Sequence, residues 1–215
     1  MDQIDKMITA YDEEAEAAGW FGPEVAFGLT YAHVQPGQSI LDIGIGTGLG
    51  SILFLKAGLE VHGVDISPQM LDACRRKGFS SLYLHDLSTT PYPFDSDSFD
   101  HAVCTGVFNF FSDLSPVFKE AGRIIRKGGL FAFVVGDRSE NEAHEVEVGA
   151  GHTKSEKTIT MYLHSAKQIA EWMAMYGFEA LRDLSFTVFM DRERTKSMPA
   201  RSYLVRKRTG IEPII

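Results

Sequence analysis

Three glycines set two residues apart, Gly44, Gly46 and Gly48, follow the apolar run Ile40-Leu41-Asp42-Ile43. A short apolar run of this kind reads as a buried parallel strand, and glycines end it where the backbone must take positive φ or admit a ligand. The helix-forming stretch beyond would present unpaired N–H groups and the positive end of its dipole. Such a turn holds a nucleoside-bearing cofactor. A dinucleotide fingerprint needs its third glycine at position 49, which is Leu49. A second apolar run, 59–64, ends in Asp65, about twenty residues past Gly44, where a ribose-binding carboxylate belongs.

The stretches LDIGIGTG at 41–48, VDISPQML at 64–71, HDL at 85–87 and RKGGLFAF at 126–133 occur in this order. On these four the chain resembles the class I S-adenosylmethionine-dependent methyltransferases, in particular their type 11 group, which acts mostly on small molecules. The resemblance is strongest over residues 35–135. It implies a Rossmann-like three-layer α/β sandwich, with a seven-stranded, mostly parallel sheet whose last strand is antiparallel. It implies S-adenosyl-L-methionine as cofactor and in-line methyl transfer to a small-molecule acceptor. The implied cofactor residues are Asp42, Gly44, Gly46, Thr47 and Gly48 around the turn, with Asp65 on the ribose hydroxyls and Ile66 against the adenine. Met70 is a second apolar candidate. Asp86 would take the adenine amino group and the Leu87 N–H a ring nitrogen. Thr105 and Gly106 stand at the end of the fourth strand, the edge where open α/β sheets bind ligands.

On the acceptor side the candidates are Tyr11, in a helix that can fold over the cofactor, and Phe108 and Asn109 after the fourth strand. His144, His152 and His164 are the histidines placed for base work, since imidazole titrates near neutrality. A base is needed only if the acceptor must lose a proton before attack. His, Cys and acidic residues show no metal-ligand spacing, and no metal is expected. The Asn/Asp-Pro-Pro-Tyr of amino-methylating DNA enzymes is missing after the fourth strand. Two other readings stay open: a module that binds S-adenosylmethionine or its demethylated product without turnover, and a nicotinamide-dependent oxidoreductase. The Leu49 mismatch argues against the second.

The elements that must carry these residues alternate. Ile4, Met7, Ile8 and Tyr11 at helical spacing predict an amphipathic helix over 3–18. A helix from Pro23 to about His33 follows. Strands are predicted at 39–43, 60–65, 80–85, 99–104 and 130–135, with helices at 48–57, from Pro68 to about Lys77, and at 114–126. Ser67 is placed to cap the second of these, with Pro68 at its first position. Gly128-Gly129 reads as the stop of the third. This alternation requires a parallel sheet covered by helices on both faces. Residues 137–157 read as polar and irregular, too long for an ordinary connection. A short strand at 158–163, a helix from Ser165 to Tyr176, and a hairpin of strands 179–190 and 200–206 complete the chain. One domain is expected: a helical cap at 1–35, a cofactor core at 36–135, and an acceptor-side loop, helix and hairpin at 136–215.

Composition bounds the partners. With 215 residues and 44% hydrophobic content the chain can bury a full core. A formal net charge of −8 argues against nucleic acid, whose phosphates want clustered Lys and Arg. The one dense basic stretch, 201–208, alternates with apolar residues and reads as the exposed face of an edge strand. No apolar run approaches a membrane span, and the first residues lack a leader's basic and apolar regions. Cys74 and Cys104 read as small buried hydrophobes rather than a disulfide. The expected protein is cytoplasmic, a monomer or homodimer, with a small-molecule acceptor and neither membrane nor nucleic-acid partner.

Overall fold

The computed structural model describes residues 19–149, 158–189 and 193–210, together with Asp12, Glu13, Ala15 and Ala17. Its helices are α1 (Gly22–Thr30), α2 (Ile52–Lys56), α3 (Pro68–Arg76), α4 (Ser115–Ile124) and α5 (Ala166–Met175). Its strands are β1 (Ser39–Ile43), β2 (Glu60–Asp65), β3 (Ser81–Leu84), β4 (Phe99–Thr105), β5 (Ile125–Arg138), β6 (Glu145–Gly149), β7 (Thr158–Ser165), β8 (Phe178–Phe189) and β9 (Ser197–Lys207).

The main sheet runs β3-β2-β1-β4-β5-β9-β8. The β3, β2, β1, β4 and β5 pairings are parallel, and β9 lies antiparallel between β5 and β8. These are the expected seven strands with the last one reversed. The short strand expected at 158–163 is β7, and one further strand departs from the expectation. The segment read as irregular holds β6, which pairs antiparallel with β7, and β7 in turn runs parallel to the far end of β5 from Gly136 to Arg138. The alternation Glu145-Val146-Glu147-Val148 is short, and only the β7 partner makes it a strand.

β5 shows why the sheet is buried on both faces. Phe131, Phe133 and Val135 point into one apolar layer with α4, α5 and Tyr203. Leu130, Ala132 and Val134 point into the other with Ala26 of α1, Phe54 of α2 and Leu71 of α3. Period-2 alternation with both sets apolar is the signature of a covered central strand.

Three local expectations need correction. Helix α4 stops at Ile124 and strand pairing begins at once with Phe99 opposite Ile125. Gly128-Gly129 therefore does not cap a helix; the pair sits at a register irregularity, where a Cβ on Gly129 would lie 2.2 Å from the Asp100 carbonyl oxygen. The basic stretch is no edge strand, because β9 is paired on both sides. Its Arg201 bridges Asp137 and Asp183, while Lys207 reaches Asp97. The third correction is Phe108. It is 0% exposed, in a cluster with Phe118, Phe131 and Phe133, and so lines no acceptor pocket.

That burial has a measurable consequence. Truncation of a buried phenylalanine costs about 3–5 kcal/mol through lost transfer energy and a cavity. Phe108→Ala should lower the urea-unfolding free energy by this amount, and a change below about 1 kcal/mol would return Phe108 to the surface.

Candidate functional site

The site begins with the register of β1 on β2. Asp42 lies opposite Gly63 and Ile43 opposite Val64, so the glycine turn leaves β1 beside the end of β2. The amides of Gly44 and Ile45 both donate to the Val64 carbonyl at 2.9 and 3.0 Å. All three turn glycines have positive φ, at 79°, 54° and 85°. The space around the three differs. A Cβ on Gly44 would come within 2.2 Å of Val107, and one on Gly48 within 2.5 Å of Phe79. A Cβ on Gly46 would meet nothing within 4 Å. Gly44 and Gly48 are thus packing glycines, and Gly46 alone faces open space.

Asp65 locks this turn. Its Oδ2 accepts from the Gly46 amide at 2.9 Å and its Oδ1 from the Ser67 amide at 2.9 Å. Ser67 then caps α3 as expected, its hydroxyl accepting from the Met70 amide, with Pro68 in the first turn. Each carboxylate oxygen keeps a lone pair after one hydrogen bond. Ile66, beside it, is 63% exposed, and Met70 is half-buried. The His85 amide donates to the Asp65 carbonyl, which sets the β3 end and Asp86 alongside. Asp86 is exposed, and its Oδ1 accepts from both the amide and the hydroxyl of Ser88. These bonds hold its carboxyl below the usual range. Leu87 is buried, and its carbonyl accepts from Tyr92 Oη.

Asp42 lies under the turn, 2% exposed. Its Oδ2 accepts from Ser51 Oγ at 2.6 Å, while its Oδ1 is buried with no partner. Burial pushes the carboxyl up to about 7; the Ser51 bond opposes this and the Asp65 charge adds to it. Thr105 closes the space from β4, since a Cβ on Gly50 would stand 2.4 Å from its hydroxyl and 3.6 Å from Asp42 Oδ2. Gly106 has φ of 106°, and a Cβ there would lie 3.7 Å from the Trp20 ring. Thr47 is buried and donates to Asp12 Oδ1 at 2.6 Å, and Lys77 pairs with the other oxygen of Asp12. The segment before α1 therefore reaches the turn through Asp12 and the end of β4 through Trp20.

The acceptor-side expectations fare differently. Tyr11 and His152 lie outside the described residues. Asn109 is buried and its Oδ1 accepts from the Gly136 amide, a bond that ties the β4 exit to β5. His144 offers no free nitrogen to a substrate: Nδ1 faces the Leu163 carbonyl at 2.7 Å and Nε2 the Ser112 carbonyl at 3.1 Å. His164 is wholly buried beside Trp172, and burial lowers it to about 4, so it is a neutral core residue. Two aromatics next to site segments are exposed instead: Phe110, in the turn after β4, at 55%, and Phe21, just before α1, at 50%. Sequence reasoning passed over Ser51 and Asp12. A buried acid requires a donor, which pointed to a hydroxyl near the turn; nothing local pointed to Asp12. Among the described residues no group of His, Cys, Asp and Glu could hold a metal, and both cysteines are free and buried.

A turn open only at Gly46, a fixed carboxylate at the end of β2, an exposed Ile66 and an unpartnered buried oxygen at Asp42 suit a nucleoside carrying a cationic amino acid. A family model described as a methyltransferase domain matches residues 41–133. An uncharacterized methyltransferase of Bacillus subtilis, YcgJ, is 24% identical over 164 residues, covering 74% of this chain and 63% of its own length. The malonyl-[acyl-carrier protein] O-methyltransferase of Serratia marcescens is 32% identical over 111 residues, 51% of this chain and 42% of that protein. The chain thus spans less than two thirds of these relatives. The fold matches a crystal structure of a SAM-dependent methyltransferase from Methanosarcina mazei with a TM-score of 0.71, at 17% identity, over 85% of this chain and 98% of that one. Residues 41–133 thus match the methyltransferase-domain family, and the relatives and the fold support a class I S-adenosylmethionine-dependent methyltransferase. S-adenosyl-L-methionine is the cofactor of that family.

The turn and the buried acid each yield a test. Gly48→Ala should destabilise the fold by roughly 1–3 kcal/mol through strain and overpacking against Phe79. Gly46→Ala should unfold within about 1 kcal/mol of the parent, yet lose cofactor affinity in calorimetry. For Asp42 the folded state holds the proton up to about 7, against an ordinary 3.8. Stability from this group is therefore greatest below pH 4 and falls as pH rises to 7. The fall is on the order of 4 kcal/mol. Asp42→Asn removes it, so urea titrations should show the variant gaining on the parent between pH 4 and pH 7. A constant difference would deny the shift.

Proposed function

We propose that this protein transfers a methyl group from S-adenosylmethionine to a small acceptor with an apolar body. Asp65 supports the reading most directly. Its carboxylate is already fixed by two backbone amides, and so can accept two ribose hydroxyls without reorganising. The Gly46 opening admits the amino acid part near Asp42, Ile66 offers its exposed face to the adenine, and Asp86 with the Leu87 amide takes the polar edge of the base.

When bound, the cofactor supplies a methyl group already activated on a sulfonium, so the protein's task is mainly one of position. Thr105 and Gly106 end β4 where the methyl would be presented. Trp20 stands over Gly106, and Phe21 and Phe110 expose apolar rings on the same chain segments. Such walls exclude water and hold an apolar body, with few polar anchors to orient it. Neither His144 nor His164 is set up as a base. The acceptors named for relatives are varied.

Asp65→Ala should weaken S-adenosylhomocysteine binding by tenfold or more, since losing a charged hydrogen-bond partner costs roughly 1.5–3 kcal/mol. Calorimetry on folded variant measures it, and unchanged affinity would refute the ribose role. Incubation with methyl-labelled cofactor and a metabolite extract should yield a labelled small product. Binding without any labelled product would instead leave a cofactor-sensing module.

A further inference from the structure

Asp42 is a carboxylate sealed under the glycine turn with one oxygen unpartnered. Among the described residues its only hydrogen-bond donor is the Ser51 hydroxyl. Among the described residues, the groups around it bring no positive charge. Asp65 approaches from the end of β2 and repels it. The thiols of Cys74 on α3 and Cys104 on β4 both feel its charge and are themselves held neutral by burial. Thr105 faces it across Gly50 from β4. Lys77, the cation at the end of α3, is turned to Asp12. A buried carboxylate with one donor and no counter-ion is costly to ionise. The same burial sets its titration at about 7, against an ordinary 3.8.

This arrangement changes when a cation enters. Resting on the proposed function, we propose that Asp42 carries a proton in the cofactor-free protein and releases it to solvent when the cofactor's amino acid ammonium comes to lie against its free oxygen. The exchange balances: a neutral carboxylic acid and a bound ammonium become a carboxylate–ammonium pair plus one proton taken up by buffer. The Asp42 O–H bond breaks heterolytically, and nothing is oxidised or reduced. Ser51 is a positioning residue for this step, since its hydroxyl donates to the charged form and favours it. Cofactor affinity then rises with pH up to neutrality and levels off above it.

The probe is S-adenosylhomocysteine, titrated calorimetrically in buffers of different ionisation enthalpy from pH 5.5 to 8.5. Close to one proton should be released per molecule bound below neutrality and almost none at pH 8.5. Affinity should rise by up to about tenfold per pH unit below neutrality. Adenosine, which lacks the amino acid, should bind with no proton release. Ser51→Ala should move the midpoint of the release to higher pH, and Asp42→Asn should abolish the release. Binding without proton release at pH 6 overturns the proposal alone. Release that persists in Asp42→Asn also overturns it, because the ligand's own amine would then be the source. A midpoint unmoved in Ser51→Ala counts against it too, and this arm stands even if Asp42→Asn fails to fold. Failure of S-adenosylhomocysteine to bind at any pH overturns the proposed function, and this proposal with it.

Discussion

One carboxylate ties the cofactor side of this protein together. Asp65 ends β2 and accepts from Gly46 on one oxygen and from Ser67 on the other. It joins the turn after β1 to the start of α3, two segments that meet only because β1 and β2 pair in parallel register. Both amides would otherwise lack acceptors, one in a positive-φ turn and one ahead of a helix N-terminus. The side chain that closes the structure is also the one best held for a ligand. Binding then requires little further ordering, which is where affinity is usually lost.

The packing around the turn follows from that lock. With Gly46 held, Gly44 is pressed against Val107 and Gly48 against Phe79, so the turn is wedged between the β4 exit and the segment after α3. Asp42 is sealed beneath by Ser51 and Thr105. Asn109 fixes the β4 exit to β5 through the Gly136 amide. The turn is thus held by backbone geometry and short polar links.

Features with a local cause were legible in the sequence. The glycine turn, the Ser67 cap, the acid at the end of β2 and the alternation of the first five strands each depend on a few adjacent residues. What was not legible depended on partners far along the chain. Phe108 and Phe110 look alike in sequence, yet a three-residue turn sends one into the aromatic core and the other to solvent. The basic alternation of 201–208 suits an edge strand, and only β8, folding against it, makes it internal. β6 needs β7, and His144 needed both Leu163 and Ser112 to show that its nitrogens are spoken for. The glycine turn and its neighbouring acids were legible because their demands are stereochemical. Which rings remain exposed was not legible, because tertiary packing decides it.

The placement of β9 bears on how the chain is made. β5 needs β9 along its middle, from Leu130 to Gly136, and among the described strands β8 pairs only with β9. Among the described strands β9 is the last to leave the ribosome. During synthesis the parallel half can assemble early, but its β5 edge stays bare until β9 arrives. A bare hydrophobic edge is a template for pairing with other chains. Long-range insertion of this kind also slows folding, because a long loop must close before it is rewarded. The newborn protein therefore passes through an interval in which β9 competes with neighbouring chains for the same edge, and slow translation of residues 197–207 would lengthen that interval.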